Sequence, residues 1–309
     1  MSEYPVHIEI MPKVHLIRGE NRARFPEANT LVIDDEILTL VDAGSSMKNI
    51  ETALKNLRHE IADIDRIILT HFHIDHKHHA SKIQEISNCE ILCHPLAEKG
   101  VRSFDGLVEY YGIEGNKYYN SWRNLLDIRF PDITGNYDVT GTFSNREPVD
   151  SGEIQLIPIH LPGHTLDHTC FGINGYKVLF LVDIDLTSFG PWYGNEVSDI
   201  EVFKESVDQV IAMKPKIGIS SHLINPVTDN LAARLQTFRS VFDEREKRIL
   251  ENIGKGIDTI EKLAQVPTIY PRIPMEVYLA FEVFMLEKHI ALLIRDEKII
   301  EDDGHFRLE

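Results

Sequence analysis

Residues 67–80, Ile-Ile-Leu-Thr-His-Phe-His-Ile-Asp-His-Lys-His-His-Ala, place five histidines, His71, His73, His76, His78 and His79, within nine residues. The apolar run Ile67-Ile68-Leu69 just before them reads as a short buried strand, and the segment after them, ASKIQEI, reads as the start of a helix. The cluster therefore sits at the carboxyl end of a strand, where α/β proteins place their ligands. Neutral imidazole is a strong ligand for zinc and iron, and carboxylate is a harder complement. Two residues apart on an extended segment, His71 and His73 can point to the same side. Asp75 and His76 then belong to the turn and can reach a second ion close by. The plain alternative is a solvated histidine-rich loop, but the spacing H-x-H-x-D-H is more specific than a run. Further along the chain, single histidines again follow strand-like runs: His164 in IQLIPIHLPGHT and His222 in IGISSH.

The rest of the composition narrows the function. The chain has 309 residues, 32 Lys and Arg against 49 Asp and Glu, and a formal charge of −17. That surplus of acid argues against a general nucleic-acid binder, which needs a basic face to displace counterions. Hydrophobic residues make up 43% and the mean hydropathy is −0.18, as expected of a globular protein with ample core. No run of about 18 apolar residues exists, so no membrane span is expected. The opening residues lack the basic flank and apolar core of a secretory signal. Three cysteines, Cys89, Cys93 and Cys170, are too few to staple a fold of this size and read as core residues. Together these features point to the cytoplasm.

The order of the motifs resembles the metallo-β-lactamase fold superfamily. Its first motif, an Asp closing a strand, is matched by Asp42 in ILTLVDAGSS, and its second by His71-x-His73-x-Asp75-His76. LPGHTLDHT resembles the third and supplies His164; VLFLVDIDL resembles the fourth and supplies Asp183; IGISSH resembles the fifth and supplies His222. The resemblance covers roughly residues 8–228. It implies an α/β fold, the αββα sandwich of that superfamily. It further implies one metal on His71, His73 and His164, a second on Asp75, His76 and His222, and Asp183 bridging the two. Asp42 is implied to be a structural neighbour of the site and not a ligand. Two divalent ions are expected, zinc first, with iron and manganese compatible with the same ligands.

Departures from the family pattern are specific. The family often precedes its fourth-motif Asp with Gly, whereas Val182 and Ile184 flank Asp183 here, and Asp185 competes for the bridging role. After His76 the family often has two small residues; His78 and His79 stand there, either narrowing the mouth of the site or lying exposed at a helix start. His73 stands where the oxygen-reducing diiron members tend to have Glu, which disfavours redox chemistry. Asp183 stands where the antibiotic-degrading zinc enzymes usually have Cys. What remains is a dinuclear hydrolase in which water activated at the ions attacks an ester, lactone or thioester carbonyl of a small molecule. Asp75 or Asp183 takes up the proton. Lactonases and hydroxyacylglutathione hydrolases of this superfamily share all these ligands, so the motifs do not separate them. The alternatives are a phosphodiesterase or ribonuclease of the same fold and a non-catalytic metal-binding module.

Two aromatic segments are candidates for the substrate pocket. Residues 100–150 form a long insert containing Phe104, Tyr110, Tyr111, Tyr118, Tyr119, Trp122 and Phe130. It reads as helical, serving either as a lid over an apolar substrate or as packing against the domain or a second subunit, and a homodimer is compatible with it. Residues 185–199, DLTSFGPWYGNEVSD, read as an ordered loop whose Phe189, Trp192 and Tyr193 are candidate pocket residues, with Tyr193 able to hydrogen-bond a substrate carbonyl.

A change of pattern near Asn230 divides the chain into a catalytic domain, residues 1–229, and a C-terminal domain, residues 230–309. The second part reads as a long amphipathic helix over 231–253, a short helix capped by Asp258 or Thr259, an apolar helix, and a hairpin turning at Asp303-Gly304. That order resembles the winged-helix-like extension of β-lactamase-like hydrolases, some with single-stranded RNase activity. Its charge opposes nucleic acid: 12 Lys and Arg against 15 Asp and Glu over residues 230–309.

Overall fold

The apolar runs become strands whose two faces are both buried. The computed structural model describes residues 4–135 and 137–309. The first sheet has seven strands in spatial order: β1 (His7–Met11), β2 (Val14–Ile17), β3 (Thr30–Ile33), β4 (Thr39–Val41), β5 (Arg66–Leu69), β6 (Glu90–Cys93) and β7 (Gly141–Thr142). Pairing is antiparallel from β1 to β4 and parallel from β4 to β7. The second sheet contains β8 (Val149–Asp150), β9 (Gln155–His160), β10 (Thr169–Ile173), β11 (Val178–Val182) and β12 (Ile217–Ser220), in the order β12-β11-β10-β9-β8. Only its β11–β12 pair is parallel.

Successive side chains on a strand point to opposite faces, and here each face meets a different core. Leu16, Leu31, Ile33 and Ile68 join Leu156, Phe171, Phe180 and Ile219 between the sheets. Their neighbours Ile17, Val32, Ile67, Leu69, Leu179 and Leu181 belong to the outer core, to which the helices Met47–Asn56, Ala80–Ser87 and Ile200–Met213 contribute Ile50, Leu54, Ile83, Phe203 and Val207. The result is the expected αββα sandwich. Burial on both faces explains why these strands read as continuous apolar runs without polar alternation. Ser46 and Asp199 start two of the helices by accepting the backbone N–H of Asn49 and of Val202.

The insert forms the helices Glu98–Arg102, Phe104–Tyr111 and Tyr119–Arg129. The C-terminal residues form helices Leu231–Ile253, Ile260–Leu263 and Glu276–Arg295, then a hairpin of β13 (Ile299–Asp302) and β14 (His305–Leu308). The short helix is narrower than its sequence pattern and is capped by Thr259. Asp303 and Gly304 both take positive φ, 49° and 76°, as a two-residue hairpin turn requires. The long helix buries Leu231, Leu235, Phe238, Phe242 and Ile249 in the outer core of the sandwich. Phe242 and Phe238 lie 5.4 and 6.2 Å, centroid to centroid, from Phe203. Among the described residues no helix is long and apolar enough to cross a membrane.

Candidate metal centre

Every expected ligand follows the carboxyl end of a strand. His71, His73, Asp75 and His76 follow β5, His164 follows β9, Asp183 follows β11 and His222 follows β12. Their ligand atoms converge in two groups, His71, His73, His164 and Asp183, and Asp75, His76 and His222, each within 4.8 Å. His164 Nε2 lies 2.9 Å from His73 Nδ1 and 3.2 Å from Asp183 Oδ2. His76 Nε2 is 3.1 Å from Asp183 Oδ1, and His222 Nε2 is 3.5 Å from Asp183 Oδ2 and 3.7 Å from Asp75 Oδ2. Ligands at 2.0–2.1 Å from a tetrahedral ion stand about 3.3 Å apart, so these separations suit the edges of two coordination shells that share Asp183. Asp185 turns away: its carboxylate accepts the N–H and hydroxyl of Thr187.

The protein holds the other side of each ring. His76 Nδ1 meets Asp42 Oδ2 at 2.7 Å, His164 Nδ1 meets the Trp192 carbonyl at 2.8 Å, and His222 Nδ1 meets the Ala23 carbonyl at 2.7 Å. These acceptors put the ring protons on Nδ1 and leave Nε2 as a lone pair. The Thr70 hydroxyl donates to Asp42 and so accepts from His71 Nδ1 at 3.0 Å, with the same consequence for His71. His71 Nε2, His76 Nε2 and Asp183 Oδ1 are buried without a hydrogen-bond partner. Buried acceptors without hydrogen-bond partners suit cations, and the two groups of residues fit two metal ions. His73 uses Nδ1, so its Nε2 faces the Asn195 amide at 3.1 Å; an ion on Nδ1 leaves a proton on Nε2 and turns the amide oxygen towards it.

The electrostatics agree. Burial, reinforced by neighbouring imidazoles, holds His71 and His73 well below the usual histidine range. Burial works against charge on His222 too, but Asp183 and Asp75 outweigh it and raise it to about 9. Asp183 is held well below the usual carboxylate range because His76, His222 and His164 overcome its burial. The carboxylates favour the protonated form of His222, so an ion that takes its Nε2 displaces a proton.

Two backbone positions take conformations that the sequence does not advertise. Asp42 has φ 63° and Val182 has φ 54°, both left-handed, and the β11–β12 register slips at Val182. A β-branched residue there is strained by about 1–2 kcal/mol, the physical counterpart of the departure at Val182 from the glycine that the family resemblance leads one to expect before Asp183. The strain turns Asp183 into the site. His168 secures it: its Nδ1 donates to the Leu161 carbonyl at 2.8 Å, and its Nε2 accepts the Asp183 N–H at 3.2 Å. His168 is visible in LPGHTLDHT, but no spacing rule distinguishes it from a ligand. Asn195 and Thr70 carry no sequence signal of their role.

The centre opens into a cavity of about 820 Å³. Phe189 and Trp192 line it, as the loop composition suggested, together with Trp122 and Leu125 of the insert. Tyr193 does not line it. It is buried beneath the loop, with its hydroxyl on His289 Nε2 at 2.8 Å and on Arg245 Nη1 at 3.1 Å, because Pro191 and Gly194 carry the chain over a core that has a polar socket. His78 and His79 also lie outside it: their half-buried rings pack on each other at 4.0 Å, and His78 packs on Phe130 at 4.9 Å. They are on the helical side of the turn, facing away from the ligands. The insert packs as a wall, with Trp122 fully buried between Tyr111 and Phe104.

Comparison with known proteins extends this picture. The sequence profile described as the metallo-beta-lactamase superfamily matches residues 23–222. A metallo-beta-lactamase fold-containing protein of Sulfurisphaera tokodaii is 24% identical over 220 residues, which cover 65% of this chain and 76% of that protein. An atrochrysone carboxyl ACP thioesterase of Claviceps purpurea is 22% identical over 259 residues, covering 82% and 70%. The crystal structure of a metallo-beta-lactamase family protein from Thermus thermophilus superposes with a TM-score of 0.76 at 17% identity, covering 97% of this chain and all (100%) of that one. The fold is therefore shared over the C-terminal segments as well.

Proposed function

The chain belongs to the metallo-beta-lactamase superfamily, and from that premise we propose that it is a dinuclear hydrolase, with zinc at both positions, acting on an acyl thioester or ester of a small molecule. The observation that carries this reading is the convergence of seven ligand residues on the floor of an aromatic cavity. Thioesters come first among acyl substrates because the Claviceps purpurea relative is named a thioesterase.

Two divalent ions, when bound, lower the pKa of water and polarise a carbonyl oxygen. The chain's own residues do the rest. His71, His73 and His164 would hold one ion and Asp75, His76 and His222 the other, with Asp183 shared by the two groups. Both Asp183 oxygens are engaged by imidazoles, Oδ1 by His76 and Oδ2 by His164 and His222. Asp75 Oδ2 lies 3.7 Å from His222 Nε2 and Asp75 lines the cavity, so Asp75 is the carboxylate placed to accept the proton from water. In hydrolysis the OH of water joins the acyl carbon, the carbon–sulfur or carbon–oxygen bond breaks, and the proton passes to the leaving atom. Aromatic side chains exclude bulk water and hold the acyl part.

A turnover panel on metal-replete protein tests this: an acyl thioester, a long-chain lactone, an aryl phosphodiester and single-stranded RNA. The thioester or lactone is turned over fastest and chelation abolishes the activity. Fastest cleavage of the RNA or phosphodiester overturns the reading.

A further inference from the structure

The cavity has two unlike walls, and each flanks a different half of the metal centre. Beside His73 the wall is aromatic: the rings of Trp192 and Tyr111 stand 5.2 and 5.3 Å from its ring, and Phe281 lies 5.3 Å from Trp192. Beside His222 the wall is basic. The Ala23 carbonyl that holds His222 is flanked by Arg22 and Arg24, both on the cavity lining, and Arg234 lines the same cavity from the Leu231–Ile253 helix. Glu and Lys are missing from this lining, and its carboxylates are Asp75, Asp183 and Asp185. Once two divalent ions are bound, this is a positive pocket in a chain of net charge −17.

The arginines are held there at a cost. Asn21, Arg22 and Ala23 have φ of 52°, 61° and 56°, three successive left-handed residues without a glycine. Strain of that kind persists where the surroundings over-determine it, commonly at functional sites. Arg22 donates to the Tyr4 hydroxyl at 3.1 Å. Arg24 has no side-chain partner among the described residues, and the one polar contact of the Arg234 guanidinium is a 3.4 Å approach to the Leu186 carbonyl. What sets these arginines apart is their place on the lining of one cavity beside the gathered histidines and aspartates. A planar guanidinium matches phosphate or carboxylate oxygens in pairs.

We propose that Arg24 and Arg234, with Arg22 beside them, form an anion site that grips the phosphate or carboxylate of the thiol carrier, leaving the acyl group against the aromatic wall. This inference rests on the reading of the cavity as a thioester-hydrolysing site. A small carrier is favoured over RNA because the basic groups are confined to the cavity mouth, whereas residues 230–309 carry 12 basic against 15 acidic residues and offer no track for a strand.

Equilibrium binding to metal-replete protein tests it, with pantetheine, 4′-phosphopantetheine and glutathione as probes. Pantetheine and 4′-phosphopantetheine carry the same thiol, so that pair isolates the phosphate, and glutathione presents carboxylates on a different thiol. The wild type binds 4′-phosphopantetheine or glutathione at least about tenfold more tightly than neutral pantetheine, and whichever anion wins identifies phosphate or carboxylate as the group held. In the double variant Arg24→Gln/Arg234→Gln the preference collapses to within about threefold, while Arg24→Lys/Arg234→Lys keeps part of it, because the charge remains and the planar fork is lost. Equal binding of all three probes by the wild type, or a preference that survives the Gln double variant, overturns the anion site. Tighter binding of a short RNA than of either anionic thiol overturns the small carrier. An arginine-dependent preference in a protein that cleaves no thioester upholds the anion site and discards the thioester reading; thioester cleavage without the preference does the reverse.

Discussion

The floor and the wall of the cavity are built differently. The floor consists of the seven candidate ligands on short turns, each leaving the end of a sheet strand, with the rear nitrogens of its imidazoles engaged by carbonyls, Asp42, Thr70 or Asn195. The wall comes from residues 22–25, the insert, the loop that carries Phe189 and Trp192, and the C-terminal residues, and its loop is held by packing and by one buried guanidinium. Arg245, 2% exposed, donates to the carbonyls of Pro191 and Phe189 and to the Tyr193 hydroxyl, and stacks 4.7 Å from the Phe189 ring. Chemistry is thus anchored to the rigid sandwich, and shape is supplied by segments that can vary independently. The two meet at Trp192, whose ring is wall and whose carbonyl holds His164.

Breaking the floor has the largest expected effect. Asp183→Ala removes the shared ligand; metal content by mass spectrometry and turnover fall together, turnover by about 10²–10³-fold or more. A variant that keeps two ions and normal turnover would show that Asp183 does not join the two groups. Asp42→Ala leaves every ligand in place but frees His76 Nδ1, and metal affinity in a chelator competition drops about 10–100-fold. Unchanged affinity there would mean that the floor needs no support behind it.

Damage to the wall leaves the ions bound. Arg245→Met deprives two carbonyls and a hydroxyl of their donor, and costs about 1–3 kcal/mol in denaturant unfolding while metal content is retained. Phe281→Ala opens the aromatic side; KM for the preferred acyl substrate rises about tenfold, with kcat affected less. If Phe281→Ala instead strips metal, floor and wall are not separable. The smallest effect is a pH dependence of the wall. Burial, aided by the Arg245 charge, pushes His289 down to about 3. The unfolded chain therefore takes up its proton near pH 6.5 while the folded one does not. Stability from this group is complete above pH 6.5 and drains as pH falls from 6.5 towards 3, by about 0.7 kcal/mol between pH 7 and pH 6. His289→Gln flattens that slope in urea midpoints measured across the interval.

The residues that the family resemblance marks, His71, His73, Asp75, His76, His164, Asp183 and His222, do come together in space, because each lies a few residues past a strand end, where the direction of the chain is set locally. The expectation that Tyr193, His78 and His79 line the pocket fails for one shared reason: adjacency in sequence to such a residue does not fix which side of the backbone a ring occupies. Tyr193 turns into a core socket made by Arg245 and His289, residues 52 and 96 positions away. Val182 was readable as an oddity, and its left-handed φ explains the oddity.

By itself the sequence determined the sandwich and which His and Asp residues gather at the strand ends, because the ordered motifs and the apolar runs they follow are local properties. Only the tertiary structure decided what the ions face. The pocket joins Arg24, Trp122, Trp192, Arg234 and Phe281, side chains from five separate segments. Their meeting depends on how distant helices bury their apolar faces on the sandwich, and no local pattern encodes that choice.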